Sequence, residues 1–140
     1  MPGPYAWGGT STARLLTCHP LLVTLFQRAI KRADLPHDMS VICGHRGKAD
    51  QDAAFAAGRS RVRWPRGKHN KTPSLAVDVV PFVGGKQEHR DAAVFKLHAP
   101  AIKAEWAAMQ AEGLVPDGVK LVWGGDWGWD SPHWQLDGIG

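Results

Sequence analysis

The sequence predicts an α+β fold, a small and mostly antiparallel sheet carrying about three helices, in a single domain over residues 1–140. Three observations carry that expectation. Apolar residues recur at helical spacing in separate segments of the chain. Short runs that read as strands lie between and after those segments, in the order helix-strand-helix-strand-helix-strand-strand. Finally, 140 residues with 44% hydrophobic content suit one core and leave no room for a second folded module.

The elements follow in order. The first ten or so residues are rich in Gly and Pro and are expected to be extended. Thr17-Cys18-His19-Pro20 marks a helix start, because Pro in the first turn loses nothing by lacking an N–H. Leu22, Leu25, Phe26, Ala29, Ile30 and Ala33 then recur at helical spacing, with Arg28, Lys31 and Arg32 on the wet side. This helix is expected to end near Asp34-Leu35-Pro36. Ser40-Val41-Ile42-Cys43 reads as a short strand closed by Gly44. A second helix is expected from Ala49 to Ala57, with Gly58 as its stop. Arg59 to Thr72 is a basic loop shaped by Pro65 and Pro73, and a strand from Leu75 to Phe82 follows. Asp91 to Glu112 forms a third helix, interrupted or begun at Pro100, with Ile102, Trp106 and Met109 on its apolar side. Lys120 to Trp123 is a strand, Gly124 to Pro132 an aromatic, acidic loop, and His133 to Leu136 a last short strand.

The net charge of +4 favours an anionic partner, whether nucleic acid, a membrane surface or a cell-wall polymer, without choosing among them. No apolar run approaches the roughly 18 residues that span a bilayer, so no stable membrane insertion is expected. The N-terminus lacks a basic region followed by an apolar one, which predicts a chain made soluble in the cytoplasm. Cys18 and Cys43 fit neither a zinc knuckle nor a redox pair. Both are expected to be ordinary buried thiols in a reducing compartment.

Asp78 is the most informative residue. It lies within Leu75-Ala76-Val77-Asp78-Val79-Val80, a run that otherwise reads as a buried strand. A lone carboxylate there loses its hydration and needs a counter-charge or a metal. Alternation puts Asp78 on one face of its strand with Ala76 and Val80. His69 lies upstream in the basic loop, and His133 begins the final strand. Two His and one carboxylate are the ligand set of a catalytic zinc that keeps one position open. Each residue also has a plainer reading. His69 could be a solvated loop histidine, Asp78 half of an ion pair with an arginine, and His133 a core histidine bonded to a carbonyl. A metal site accounts for all three together. Asp130, three positions before His133, could take a proton from water beside such a zinc. Asp126 competes for that role on spacing alone. Trp123, Trp127, Trp129 and Trp134 flank the same loop and could wall a cleft, although Trp123 and Trp134, on strands, are expected in the core.

These residues stand in motifs that resemble the zinc D-Ala-D-Ala carboxypeptidase/VanY-like peptidases, and among them the short phage endolysins that act as L-alanyl-D-glutamate endopeptidases. The resemblance runs over nearly the whole chain. It rests on Ser40 to Gly47 with Gln51 and Gly58-Arg59-Ser60, on Lys68 to Pro81, and on Trp123 to Trp127 with Asp130 to Trp134. It implies that His69, Asp78 and His133 bind Zn2+, that Asp130 is the catalytic carboxylate, and that Arg46 stabilises negative charge on the substrate or intermediate. Gln51 and Ser60 are expected beside the cleft, with Trp127 and Trp129 as further substrate-binding residues. Gly67 stands where many relatives carry Ser, and the loop between His69 and Asp78 follows the longer form of the phage enzymes. The implied substrate is the peptide stem of peptidoglycan, cut at an amide by water activated on the zinc, with Asp130 as base and then acid. A monomer that reaches the wall after release from the cytoplasm is expected.

A metal-dependent nuclease is the rival enzyme. Its basic residues would form a stripe interleaved with aromatics, and here they are scattered, so no nucleic-acid partner is expected. A non-catalytic wall-binding module would not need Asp130. A D-Ala-D-Ala carboxypeptidase would share the same metal chemistry.

Overall fold

Strand alternation divides the sheet into a dry face and an open one. In the computed structural model, which describes residues 1–139, the sheet comprises β1 (Asp38–Cys43), β2 (Ala76–Val83), β3 (Lys86–Gln87), β4 (Lys120–Trp123) and β5 (His133–Asp137). Four strands lie in the order β1-β2-β5-β4, with β3 paired to β2. Every pairing among them is antiparallel. The helices are α1 (Gly9–Leu15), α2 (Pro20–Ala29), α3 (Lys48–Ala56) and α4 (Ala92–Ala111). Single 3-10 turns occur at Lys68–Asn70 and Gly124–Trp127. The expected α+β class is the observed one.

Val77 and Val79 of β2 and Trp134 and Leu136 of β5 enter the core. There they meet Leu22, Leu25 and Phe26 of α2 and Ile102, Trp106 and Met109 of α4. Phe26 meets Trp134 edge-on at a centroid distance of 6.2 Å, and Trp134 stacks on Trp123 at 5.5 Å. Both tryptophans are therefore core residues, as expected. The alternate residues Asp78, His133 and Gln135 project from the other face.

Four details differ from the sequence reading. Helix α1 lies partly in the segment expected to be extended. Its sequence, GTSTARL, has weak helix propensity, and packing compensates for it. Leu15 is buried, and Ser11 Oγ accepts a hydrogen bond from Val41 N at 2.9 Å, capping an edge of the sheet. Helix α2 stops at Ala29, before the expected Asp34-Leu35-Pro36, because Lys31 N and Arg32 N turn to carbonyls three residues back. Helix α4 runs through Pro100 without interruption. Pro100 and Lys96, whose carbonyl loses its partner, are both exposed, so water can serve that carbonyl. The short strand β3 was not expected. Gly84 and Gly85, with φ of 60° and 78°, supply the two left-handed positions that a tight hairpin requires.

The buried polar exception is His98 on α4. Its Nε2 lies 3.1 Å from His37 Nδ1, and its own Nδ1 has no partner among the described residues. Burial, and then the neighbouring His37, pull its pKa down to about 4. An unfolded histidine titrates near 6.5, so below that pH the unfolded chain binds a proton that the folded chain refuses. Stability should fall as pH drops from about 6.5 towards 4. Urea midpoints at pH 7 and 4.5 should show a steeper loss in wild type than in His98→Leu, by on the order of 1–3 kcal/mol. Parallel losses in the two proteins would rule His98 out as the cause.

Candidate metal centre and cleft

Sheet register assembles the site. Asp78 on β2 lies opposite Cys43 on β1 and opposite His133 on β5. A bulge between Val41 and Cys43 shifts β1, so that Cys43 rather than Ile42 faces Asp78. His69 arrives from the Lys68–Asn70 turn, which is tied down on several sides. Arg46 N donates to His69 O at 2.8 Å, and Gly67 N donates to Asn70 Oδ1 at 2.9 Å. Asn70 Nδ2 donates to Arg46 O and to Gln51 Oε1, both at 3.0 Å.

The two imidazoles converge on one oxygen. His69 Nε2 lies 3.1 Å and His133 Nδ1 3.2 Å from Asp78 Oδ1. Their outer nitrogens are already committed as donors. His69 Nδ1 is 2.7 Å from Gly44 O, which can only accept. His133 Nε2 is 2.8 Å from Gln135 Oε1, and the Gln135 amide nitrogen donates to Asp137 Oδ1 at 2.7 Å. These outer bonds leave the inner nitrogens as lone pairs aimed at a carboxylate. Acceptors facing acceptors are satisfied only by a positive species, either extra protons or a metal ion. The titration behaviour expresses the same demand. Burial opposes charge on His69, yet Asp78 outweighs it and lifts the pKa to about 10. Burial likewise opposes charge on Asp78, and the two histidines outweigh it, holding the carboxyl well below the usual range.

Cys43, His69 and Asp78 place ligand atoms within 4.8 Å of one another and could hold a metal ion. Cys43 is thus half-buried beside the centre and not an ordinary core thiol. The sequence held no sign of this, because only the bulged register brings Cys43 to Asp78. Cys18 is the plain buried thiol, with its pKa pushed up by burial to about 12.

A cleft of about 300 Å³ opens over this floor. Arg46, Gln51, Ser60, His69, Asp78, Trp127, Trp129, Asp130 and His133, all singled out from the sequence, line it, whereas Asp126, Trp123 and Trp134 do not. Asp130 is half-buried, with Oδ2 4.0 Å from His133 Nδ1. Burial raises its pKa against the pull of His133. Asp126 is exposed and paired to Lys103 at 2.9 Å, away from the cleft. Arg46 reaches Asp78 Oδ2 at 3.4 Å and donates to Gln51 Oε1 at 3.1 Å. Gln51 is fully buried and donates to Ser60 Oγ at 2.9 Å and Val62 O at 2.8 Å. Trp127 and Trp129 are exposed and stacked at 5.9 Å, and Trp127 leans on His133 at 5.4 Å. Sequence reasoning passed over Gln135, which alternation from His133 could have pointed to, and the arginines of the basic loop that also line the cleft.

Fold and cleft together define a class: a small α+β protein with a potential metal centre on the floor of a cleft over its sheet. The model of the phage L-alanyl-D-glutamate peptidase family matches residues 4–136, and the chain belongs to that family. The crystal structure of Serratia marcescens L-Ala D-Glu endopeptidase ChiX is similar, with a TM-score of 0.73 and 27% sequence identity. That match covers 94% of this chain and 90% of the Serratia chain. A search of curated proteins gives no match. The protein is accordingly a peptidoglycan hydrolase of the phage L-alanyl-D-glutamate endopeptidase type. No helix among the described residues is long and apolar enough to cross a membrane.

Proposed function

We propose that this peptidase is zinc-dependent, with His69, Asp78 and His133 as ligands and Asp130 as its proton-transfer group. The observation that carries the proposal is the pair of imidazole lone pairs converging on Asp78 Oδ1, each ring oriented by a bond from its outer nitrogen. Cys43 is the competing third ligand. Its thiol lies 3.5 Å from Gly44 O as a donor, and adding it to the other three would close the position that a catalytic site keeps open.

Bound zinc would supply a Lewis acid that lowers the pKa of water and polarises a carbonyl. Asp130 stands beside the centre, and its raised pKa suits a group that both takes and returns a proton. It accepts the proton as water adds to the alanyl carbonyl carbon. It then delivers that proton to the amide nitrogen as the C–N bond breaks. Arg46, oriented by Gln51, offers positive charge to the developing oxyanion. Ser60, Trp127 and Trp129 bound the substrate, and the tryptophans limit water access from their side. The working species is proposed to be a monomer that meets the stem without nucleic acid.

Elemental analysis of protein purified without added metal should give about one zinc per chain. Mass spectrometry of sacculi digests should show stems cut between alanine and glutamate, and a strong chelator should abolish the cut. Active protein free of transition metal and indifferent to chelator would sink the zinc reading. Release of terminal D-alanine instead would make it a carboxypeptidase.

A further inference from the structure

Arg59, Arg61 and Arg66, from the segment between α3 and the Lys68–Asn70 turn, line the cleft and are exposed. No described carboxylate pairs with any of them. The other cleft cations differ: Arg46 faces Asp78 at 3.4 Å and Lys68 faces Asp137 at 3.5 Å. One wall of the cleft therefore carries uncompensated positive charge.

That wall is built. Gln51 anchors the loop from below through Ser60 Oγ and Val62 O. The Arg61 guanidinium lies 3.7 Å from the Trp129 ring centroid, and Trp129 stacks on Trp127, which meets His133. An aromatic bridge thus holds Arg61 at a set place relative to the metal centre, with less ordering left to lose when a ligand binds.

The substrate supplies a matching charge. In an L-alanyl-D-glutamyl amide the glutamate nitrogen belongs to the scissile bond. One glutamate carboxyl continues the stem, and the other is left only a few bonds from the reacting carbon. A guanidinium fork suits an ionised carboxylate, whereas a carboxamide turns an N–H donor towards further donors.

We propose that Arg61 and Arg66, supported by Arg59, form a carboxylate subsite that selects stems with this second carboxyl free over stems in which it is amidated. The inference rests on the peptidase reading above and adds a specificity that reading does not require.

The test uses the full-length, zinc-loaded protein and two synthetic stem peptides that differ only in that group, free acid against carboxamide. Wild type should favour the acid by roughly tenfold to a hundredfold in kcat/KM, the scale of one or two charge-assisted hydrogen bonds. In Arg61→Gln/Arg66→Gln that ratio should fall to within a few-fold of one, mainly through KM for the acid. Added salt should weaken the wild-type preference. Arg61→Lys should keep part of the preference, since the charge remains without the planar fork. Melting temperatures establish that each variant is folded. Wild type that cuts both stems equally overturns the subsite alone, as does a double variant that loses both rates by one factor. Wild type that cuts neither stem overturns the underlying reading and the subsite with it.

Discussion

Asp130→Ala should retain the bound metal and lose turnover by roughly a hundredfold or more, the usual scale for removing a general base. His133→Ala should lose both metal and activity. The contrast follows from position. His133 aims Nδ1 at Asp78 Oδ1 from 3.2 Å, and its outer nitrogen is held by Gln135. Asp130 stands 4.0 Å from the same Nδ1, beside the centre. Metal content and kcat measured on both purified variants decide the matter. If Asp130→Ala keeps most of its turnover, another group moves the proton. Asp126→Ala is the matching control, because Asp126 is spent on Lys103 at the surface and should change kcat little.

Asp78→Asn keeps the side-chain shape and removes the charge on which the site converges. If Asp78 binds zinc, the variant should lose most of the stabilisation that zinc gives the wild type. That amounts to about 3–4 kcal/mol when free metal exceeds the dissociation constant a hundredfold to a thousandfold. The metal-free comparison is less one-sided than a lone buried carboxylate would make it. Asp78 already has Arg46 and two imidazoles as partners, so its charge is compensated without metal. Removing it should destabilise the chelated protein, but by less than the roughly 3–5 kcal/mol of a stranded buried ion. The imidazoles can shed their protons, and Arg46 keeps its bond to Gln51. Melting curves with and without chelator separate the readings. A zinc-dependent gain of equal size in wild type and variant would mean that Asp78 is not a ligand.

Much of the architecture was legible because periodicity reports local burial. The strand around Asp78, the β4 segment Lys120–Trp123 and the long helix α4 each stand close to where spacing put them. Misses occurred where packing overrode local preference. Weak helix formers at Gly9–Leu15 fold because Leu15 is buried in the core and Ser11 finds a partner in Val41 on β1. Pro100 stays in α4 because the bond it breaks faces solvent.

The site divides along the same line. Residue types and strand alternation were enough to single out Asp78, with His69 and His133 as its companions, because an ionisable group on an apolar strand needs a reason that sequence alone can display. Asp130 stood level with Asp126 on spacing, and the family motifs favoured it. Register, loop anchoring and orientation were not available there. A single bulge in β1 brings Cys43 to the centre. Gln51 and Asn70, far from each other in the chain, tie Arg46 and His69 to the same floor. Asp130 rather than Asp126 faces the cleft, and Arg61 is pinned on Trp129 above it. Such facts depend on pairing between segments distant in the chain. Sequence determined which groups could do the chemistry, and only the folded sheet decided which of them meet, because alternation is a local property and register is not.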